Sequence, residues 1–133
     1  MLCHTAESRS TMAYSILIVD EQPVVVARMA QPLQRAGYAV TGTTTFEAAK
    51  YRLATNPPDL LIAATKLGLF NGLHLIVRGR LDCPRMTSIL TATLSDPLLE
   101  AEATSYGAAC VVEPQTETEV LALVTRTFAS KPM

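Results

Sequence analysis

Pro58-Asp59-Leu60-Leu61-Ile62-Ala63-Ala64-Thr65-Lys66 is the stretch on which the fold turns. Its middle, LLIAA, is an uninterrupted apolar run of strand length, and a strand apolar on both faces belongs in the centre of a covered parallel sheet. In open α/β sheets the chemistry sits just past the carboxyl ends of such strands. Here that end is Ala64, a methyl group where a functional side chain is sought.

Upstream, Ser15-Ile16-Leu17-Ile18-Val19 reads as a second buried strand and ends on Asp20-Glu21. From Pro23 to Ala36 the residues Val26, Met29, Ala30 and Leu33 recur at helical intervals, with Gly37 at the capping position. Pro32 lies inside this helix and is expected to kink it or shorten its last turn. Tyr38 to Gly42 makes a short strand, and Thr43-Thr44-Thr45 offers an N-cap for a helix carrying Phe46, Ala49 and Leu53, which Asn56-Pro57-Pro58 ends. The central strand covers 59–64.

Downstream, Lys66 to Gly72 reads as a loop, and the helix after it carries an apolar stripe of Leu73, Ile76 and Val77, with Leu81 as a candidate extension. Met86 to Ala92 is a fourth strand. Ser95-Asp96-Pro97 opens a helix that runs to about Tyr106, before Gly107. Ala109 to Val112 is the fifth strand, and Thr116-x-x-Glu119 is a capping box for a final helix with Val120, Leu123, Val124, Thr127 and Phe128 on its face. A β-α unit repeated five times calls for a parallel, doubly wound α/β sheet with helices on both faces.

A chain of 133 residues, 49% hydrophobic and 17% charged, suits one domain with a full-sized core. The net charge is −1 and the basic residues are scattered, which argues against nucleic acid or an anionic membrane as partner. Apolar runs fall far short of the ~20 residues that span a bilayer. Residues 1–13 lack an apolar signal core and read as a disordered tail ahead of one domain over 14–130. Cys3, Cys83 and Cys110 show no ligand spacing, which favours free thiols and a cytoplasmic protein.

No catalytic constellation emerges. The glycines form neither GxGxxG nor a phosphate-binding loop, there is no GxSxG, and neither histidine falls at a strand end. The pair Asp20-Glu21 has two readings: acids favoured at a helix start, or a site for a hard cation such as Mg²⁺. Spacing alone favours the first. No enzymatic activity is expected.

ILIVDEQP, RAGYAV, PDLLIAA followed by Asn71-Gly72, Leu90-Thr91-Ala92 and YGAACVVEP, one motif per β-α unit, together resemble the receiver domain of two-component response regulators over residues 15–129. The resemblance implies a five-stranded flavodoxin-like fold. It also implies a receiver-like pocket in which Asp20 and Glu21 match an acidic pair that binds Mg²⁺, and Thr91 matches a hydroxyl. Ala64 stands where the phospho-acceptor aspartate is expected, and Glu113, before Pro114, where a lysine is expected. Cys110 or Val111 stands where the family often has an aromatic, the spacing around Gly107 being shifted by a residue.

With the acceptor gone, only weak Mg²⁺ binding by Asp20 and Glu21 is expected. Asp59 cannot substitute, since it lies about 16 Å away at the other end of its strand, and Thr65 lacks an activating base. Asp20, Glu21 and Glu113 are expected to converge and raise at least one pKa, with Lys66 as the compensating cation. Nothing but a short tail follows Phe128. The resulting expectation is a stand-alone pseudo-receiver in phosphorelay signalling, acting through a protein partner or through self-association by the fourth and fifth helices. The alternatives are a working receiver with an unconventional acceptor and a purely dimerising module.

Overall fold

The computed structural model describes residues 14–130; the tail expected over 1–13 lies outside the described residues. The elements are β1 (Ser15–Val19), α1 (Pro23–Arg35), β2 (Ala39–Thr43), α2 (Phe46–Thr55), β3 (Leu60–Ala64), β4 (Lys66–Leu67), β5 (Phe70–Asn71), α3 (Gly72–Asp82), β6 (Thr87–Ala92), α4 (Pro97–Ser105), β7 (Ala109–Val112) and α5 (Glu117–Ala129). Five strands form one parallel sheet in the order β2-β1-β3-β6-β7, with LLIAA in the middle and every one of its residues buried.

Alternation along the strands divides the core. Ile16, Ile18, Leu60 and Ile62 pack with Met29 and Leu33 of α1 and Val120 and Val124 of α5. Leu17, Leu61 and Ala63 pack with Leu53 of α2, Ile76 of α3 and Ala103 of α4. Side chains of period two thus feed both faces, which is why these strands carry no polar alternation. Asp59 ties the amino-terminal edge together, its carboxylate accepting from Ser15 N (2.8 Å) and Ser15 Oγ (3.3 Å).

Local capping follows the sequence at α2 and α4, where the side chains of Thr45 and Asp96 accept from Ala48 N and Leu99 N. Thr116 accepts from Glu119 N, but Glu119 Oε1 reaches back to Gln115 N rather than to the cap residue itself. Strands β2, β3 and β6 begin one residue later than the sequence reading placed them.

Three readings are corrected. Helix α1 is not shortened at Pro32 but continues to Arg35: Pro32 is buried, and Ala36 N still bonds back to Pro32 O and Leu33 O. The segment 66–71 is not a plain loop but a small antiparallel hairpin, β4 with β5, turning at Gly68 (φ +62°). On α3 the buried face is Gly72, Leu73, Leu75, Ile76 and Gly79, while Leu81 is 79% exposed. Gly79 hid that face in the sequence: it has no side chain to register as apolar, yet a Cβ there would lie 2.4 Å from Met86 Cε.

Candidate functional site

The ladders set the site. Val19 pairs with Ala63, and Ala64 with Thr91, so Asp20, Ala64 and Thr91 stand in one row across the carboxyl edge of β1, β3 and β6. Asp20 and Thr91 are buried, at 5% and 2% exposure, and Ala64 is 9% exposed. Glu113 follows β7, and its N–H donates to Ala92 O (2.8 Å), which holds it against the end of β6.

Each carboxylate in this neighbourhood already has a protein partner. Asp20 Oδ1 accepts from Gln22 N (2.9 Å) at the start of α1, and Glu21 Oε1 accepts from Gly68 N (2.9 Å) at the hairpin turn. Glu113 Oε2 meets Arg28 Nη2 of α1. Thr65 also fills a structural role, its hydroxyl donating to Thr91 O (2.8 Å). Asn71 caps α3 by accepting from Leu73 N (2.7 Å), and Gly72 N donates to Thr65 O (2.8 Å), so α3 begins directly against the end of β3.

The donor set does not fit a tight Mg²⁺ site. Hard divalent cations want several oxygen ligands, whereas position 64 offers a methyl and Glu113 is engaged by a guanidinium. Among the described residues no three His, Cys, Asp or Glu side chains gather as ligands. A shallow groove lined by Pro23, Val26, Ala27, Gly42, Thr45 and Ala48 lies outside this row and brings no charged group to it.

Burial pushes the Asp20 carboxyl above its ordinary pKa, and the charges of Glu113 and Glu21 push the same way; the Gln22 N–H and Arg28 pull back. Asp20, Glu21 and Glu113 do not gather as a three-carboxylate cluster among the described residues, and at Asp20 desolvation comes ahead of the repulsion from Glu113 and Glu21. Because the folded-state pKa exceeds the unfolded one, the folded state holds this proton more tightly. The group's contribution to stability falls as pH rises from the ordinary aspartate range through the raised value, and stays unfavourable above it. Asp20→Asn, which keeps an acceptor for Gln22 N, is expected to raise Tm by a few degrees at neutral pH and by nothing in strong acid. A variant less stable than the parent at neutral pH in thermal melts would contradict this.

The compensating cation is corrected from Lys66 to Arg28. Lys66 is exposed on β4, whereas Arg28 reaches Glu113 and acts on Asp20. The sequence reading missed it because Arg28 sits beside the apolar stripe of α1, where a charged residue reads as a solvated flank. Its position next to buried Met29, and a glutamate at 113 in need of a counter-charge, were the available signals.

The response regulator receiver domain family matches residues 16–125. The chain belongs to that family. Among solved structures, this receiver superposes on a CheY-like receiver domain protein from Methanospirillum hungatei with TM-score 0.82 at 19% identity, covering 90% of this chain and 96% of that one. The chemotaxis response regulator CheY4 of Vibrio cholerae gives 0.79 at 22% identity, with 88% and 99% covered. A response regulator from Thermotoga maritima gives 0.80 at 21%, with 90% and 100% covered. At these identities the likeness speaks for the flavodoxin-like fold alone. No curated protein sequence matches the chain. No helix among the described residues is long and apolar enough to cross a membrane.

Proposed function

We propose that this receiver domain of two-component signalling is a pseudo-receiver, a cytoplasmic partner-binding module that works without accepting a phosphoryl group. The observation that carries the reading is the row Asp20–Ala64–Thr91: the strand end level with the buried carboxylate and the hydroxyl presents a methyl group. Formation of an acyl phosphate requires a carboxylate nucleophile there. Thr65, the adjacent hydroxyl, donates to the Thr91 carbonyl, and a hydroxyl would need an activating base to act as the nucleophile. Asp59 is occupied at the opposite edge. Glu113 in place of a lysine removes the cation that an incoming phosphoryl group would need, and the Arg28 guanidinium is drawn to Glu113 instead. Mg²⁺ binding through Asp20 and Glu21 is weak on this reading.

Self-association through the α4 and α5 side is the second reading, favoured by Leu94, Leu98 and Val112, which are 77%, 84% and 50% exposed on or beside α4 and β7. Acetyl phosphate with Mg²⁺ tests the first reading. Intact mass spectrometry is expected to show the unmodified mass, and a stoichiometric phosphoryl adduct would refute the pseudo-receiver assignment.

A further inference from the structure

Two arginines of α1 grip the β7–α5 connection. Arg28 and Arg35 lie two helical turns apart and so on one face of α1. Arg28 Nη2 meets Glu113 Oε2 just after β7, and Arg35 Nη2 meets Glu117 Oε2 in the first turn of α5. The two pairs differ in weight. Arg35 and Glu117 are both more than half exposed, and an ion pair of that kind contributes little. Arg28 and Glu113 are only 31% and 16% exposed, so water screens them less.

Glu113 is also tied on its other sides. Its N–H bonds to Ala92 O at the end of β6, and its carbonyl and carboxylate both accept from Gln115 Nε2 (3.1 and 3.4 Å). Ala92 is where the chain leaves the sheet towards Leu94 and Leu98, and Val112 immediately precedes Glu113. A side chain that anchors Glu113 therefore anchors the two junctions from which the exposed apolar face is built.

We infer that the Arg28–Glu113 pair is a conformational clasp: it holds the β6–α4 and β7–α5 junctions in one arrangement, so that the Leu94, Leu98 and Val112 face keeps a fixed shape with no modification of the pocket. The significance of the clasp rests on the phosphorylation-independent reading, but its physical content does not. The pair is charge-assisted and joins the first helix to the segment just after β7, so its loss leaves that segment held there by the Ala92 bond and by Gln115. Glu113 offers the clasp one carboxylate oxygen and Arg28 one guanidinium nitrogen, and Arg28 Nε is buried without a hydrogen-bond partner among the described residues. A clasp of this kind is a single contact whose removal registers locally before it registers globally.

The test uses the full chain with no phosphodonor, so that its failure is distinct from failure of the pseudo-receiver reading. Hydrogen exchange and NMR relaxation dispersion are measured at the amides of Leu94, Glu113 and Gln115 in the parent, in Arg28→Gln, in the isosteric Glu113→Gln, and in the charge reversal Arg28→Glu with Glu113→Arg. The amide of residue 113 is expected to lose protection about tenfold in each single variant, the size of one charge-assisted bond. Millisecond exchange should appear at Leu94 and Gln115, and the reversal should recover most of the protection. Should Arg28→Gln fail to fold, Glu113→Gln and the reversal carry the test. Parent-like protection and dispersion in a folded single variant, or a reversal no better than the single variants, would overturn the clasp.

Discussion

Gly72→Ala is expected to destabilise the domain by about 3 kcal/mol or more and to lower Tm by about 10 °C. A Cβ on residue 72 would lie 2.0 Å from Ala64 O and 2.9 Å from Ala64 C, and both are backbone atoms at the end of the central strand. A flexible neighbour could turn aside, but a strand carbonyl in the middle of a five-stranded sheet cannot. Relief has to come from moving α3 off the sheet. That stretches Gly72 N from Thr65 O and opens the layer where Leu73, Leu75 and Ile76 are buried. Gly68→Ala is the control: φ is +62° there and no atom lies within 4 Å of the added carbon, so only left-handed backbone strain of about 1 kcal/mol applies. Thermal melts should rank Gly72→Ala well below Gly68→Ala. Equal losses would mean that α3 does not press on β3 as described.

That close approach shows what the sequence could disclose and what it could not. The central strand was legible because its apolar content is intrinsic: LLIAA has no polar face, so it had to lie between two layers, and its Ala64 end had to lie where α/β sheets keep their sites. Helix starts were legible where a cap is a local bond, as at Thr45 and Asp96. The buried face of α3 was not, because Gly72 and Gly79 contribute to packing through the side chains they lack. The shortened last turn expected at Pro32 does not occur: a propensity rule weighs the missing N–H and takes no account of the residue's burial. At the site, residues that end strands were placed by register, and Asp20, Ala64 and Thr91 fell in line. Arg28 was missed because its partner is distant in sequence and on another element. Pairing between elements is a tertiary fact with no short-range signature.

The variant carrying both Ala64→Asp and Glu113→Lys is expected to bind Mg²⁺ at least about tenfold more tightly than the parent and to take up beryllofluoride. Ala64→Asp supplies the absent carboxylate in the row between Asp20 and Thr91, giving a hard cation a third side-chain ligand beside Asp20 and Glu21. Alone it does not suffice. The new aspartate would join Asp20, Glu21 and Glu113, and in a setting where burial and like charge already raise the Asp20 pKa, a further buried carboxylate is held partly protonated and repels an anionic donor. Glu113→Lys removes one of those charges and replaces it with a cation, but alone it offers no nucleophile and no ligand. It also releases Arg28, whose guanidinium then faces the introduced ammonium unless a carboxylate at 64 takes it up. The two changes are therefore coupled, each relieving the charge imbalance created by the other, and their combined effect on Mg²⁺ affinity should exceed the sum of the single effects. Position 113 is placed for this, since its N–H bonds to Ala92 at the end of β6 and its charge acts on Asp20. Titration with Mg²⁺ followed by NMR, then addition of beryllofluoride, reads both properties. A folded double variant that gains neither would show that the row Asp20–Ala64–Thr91 is not the receiver pocket.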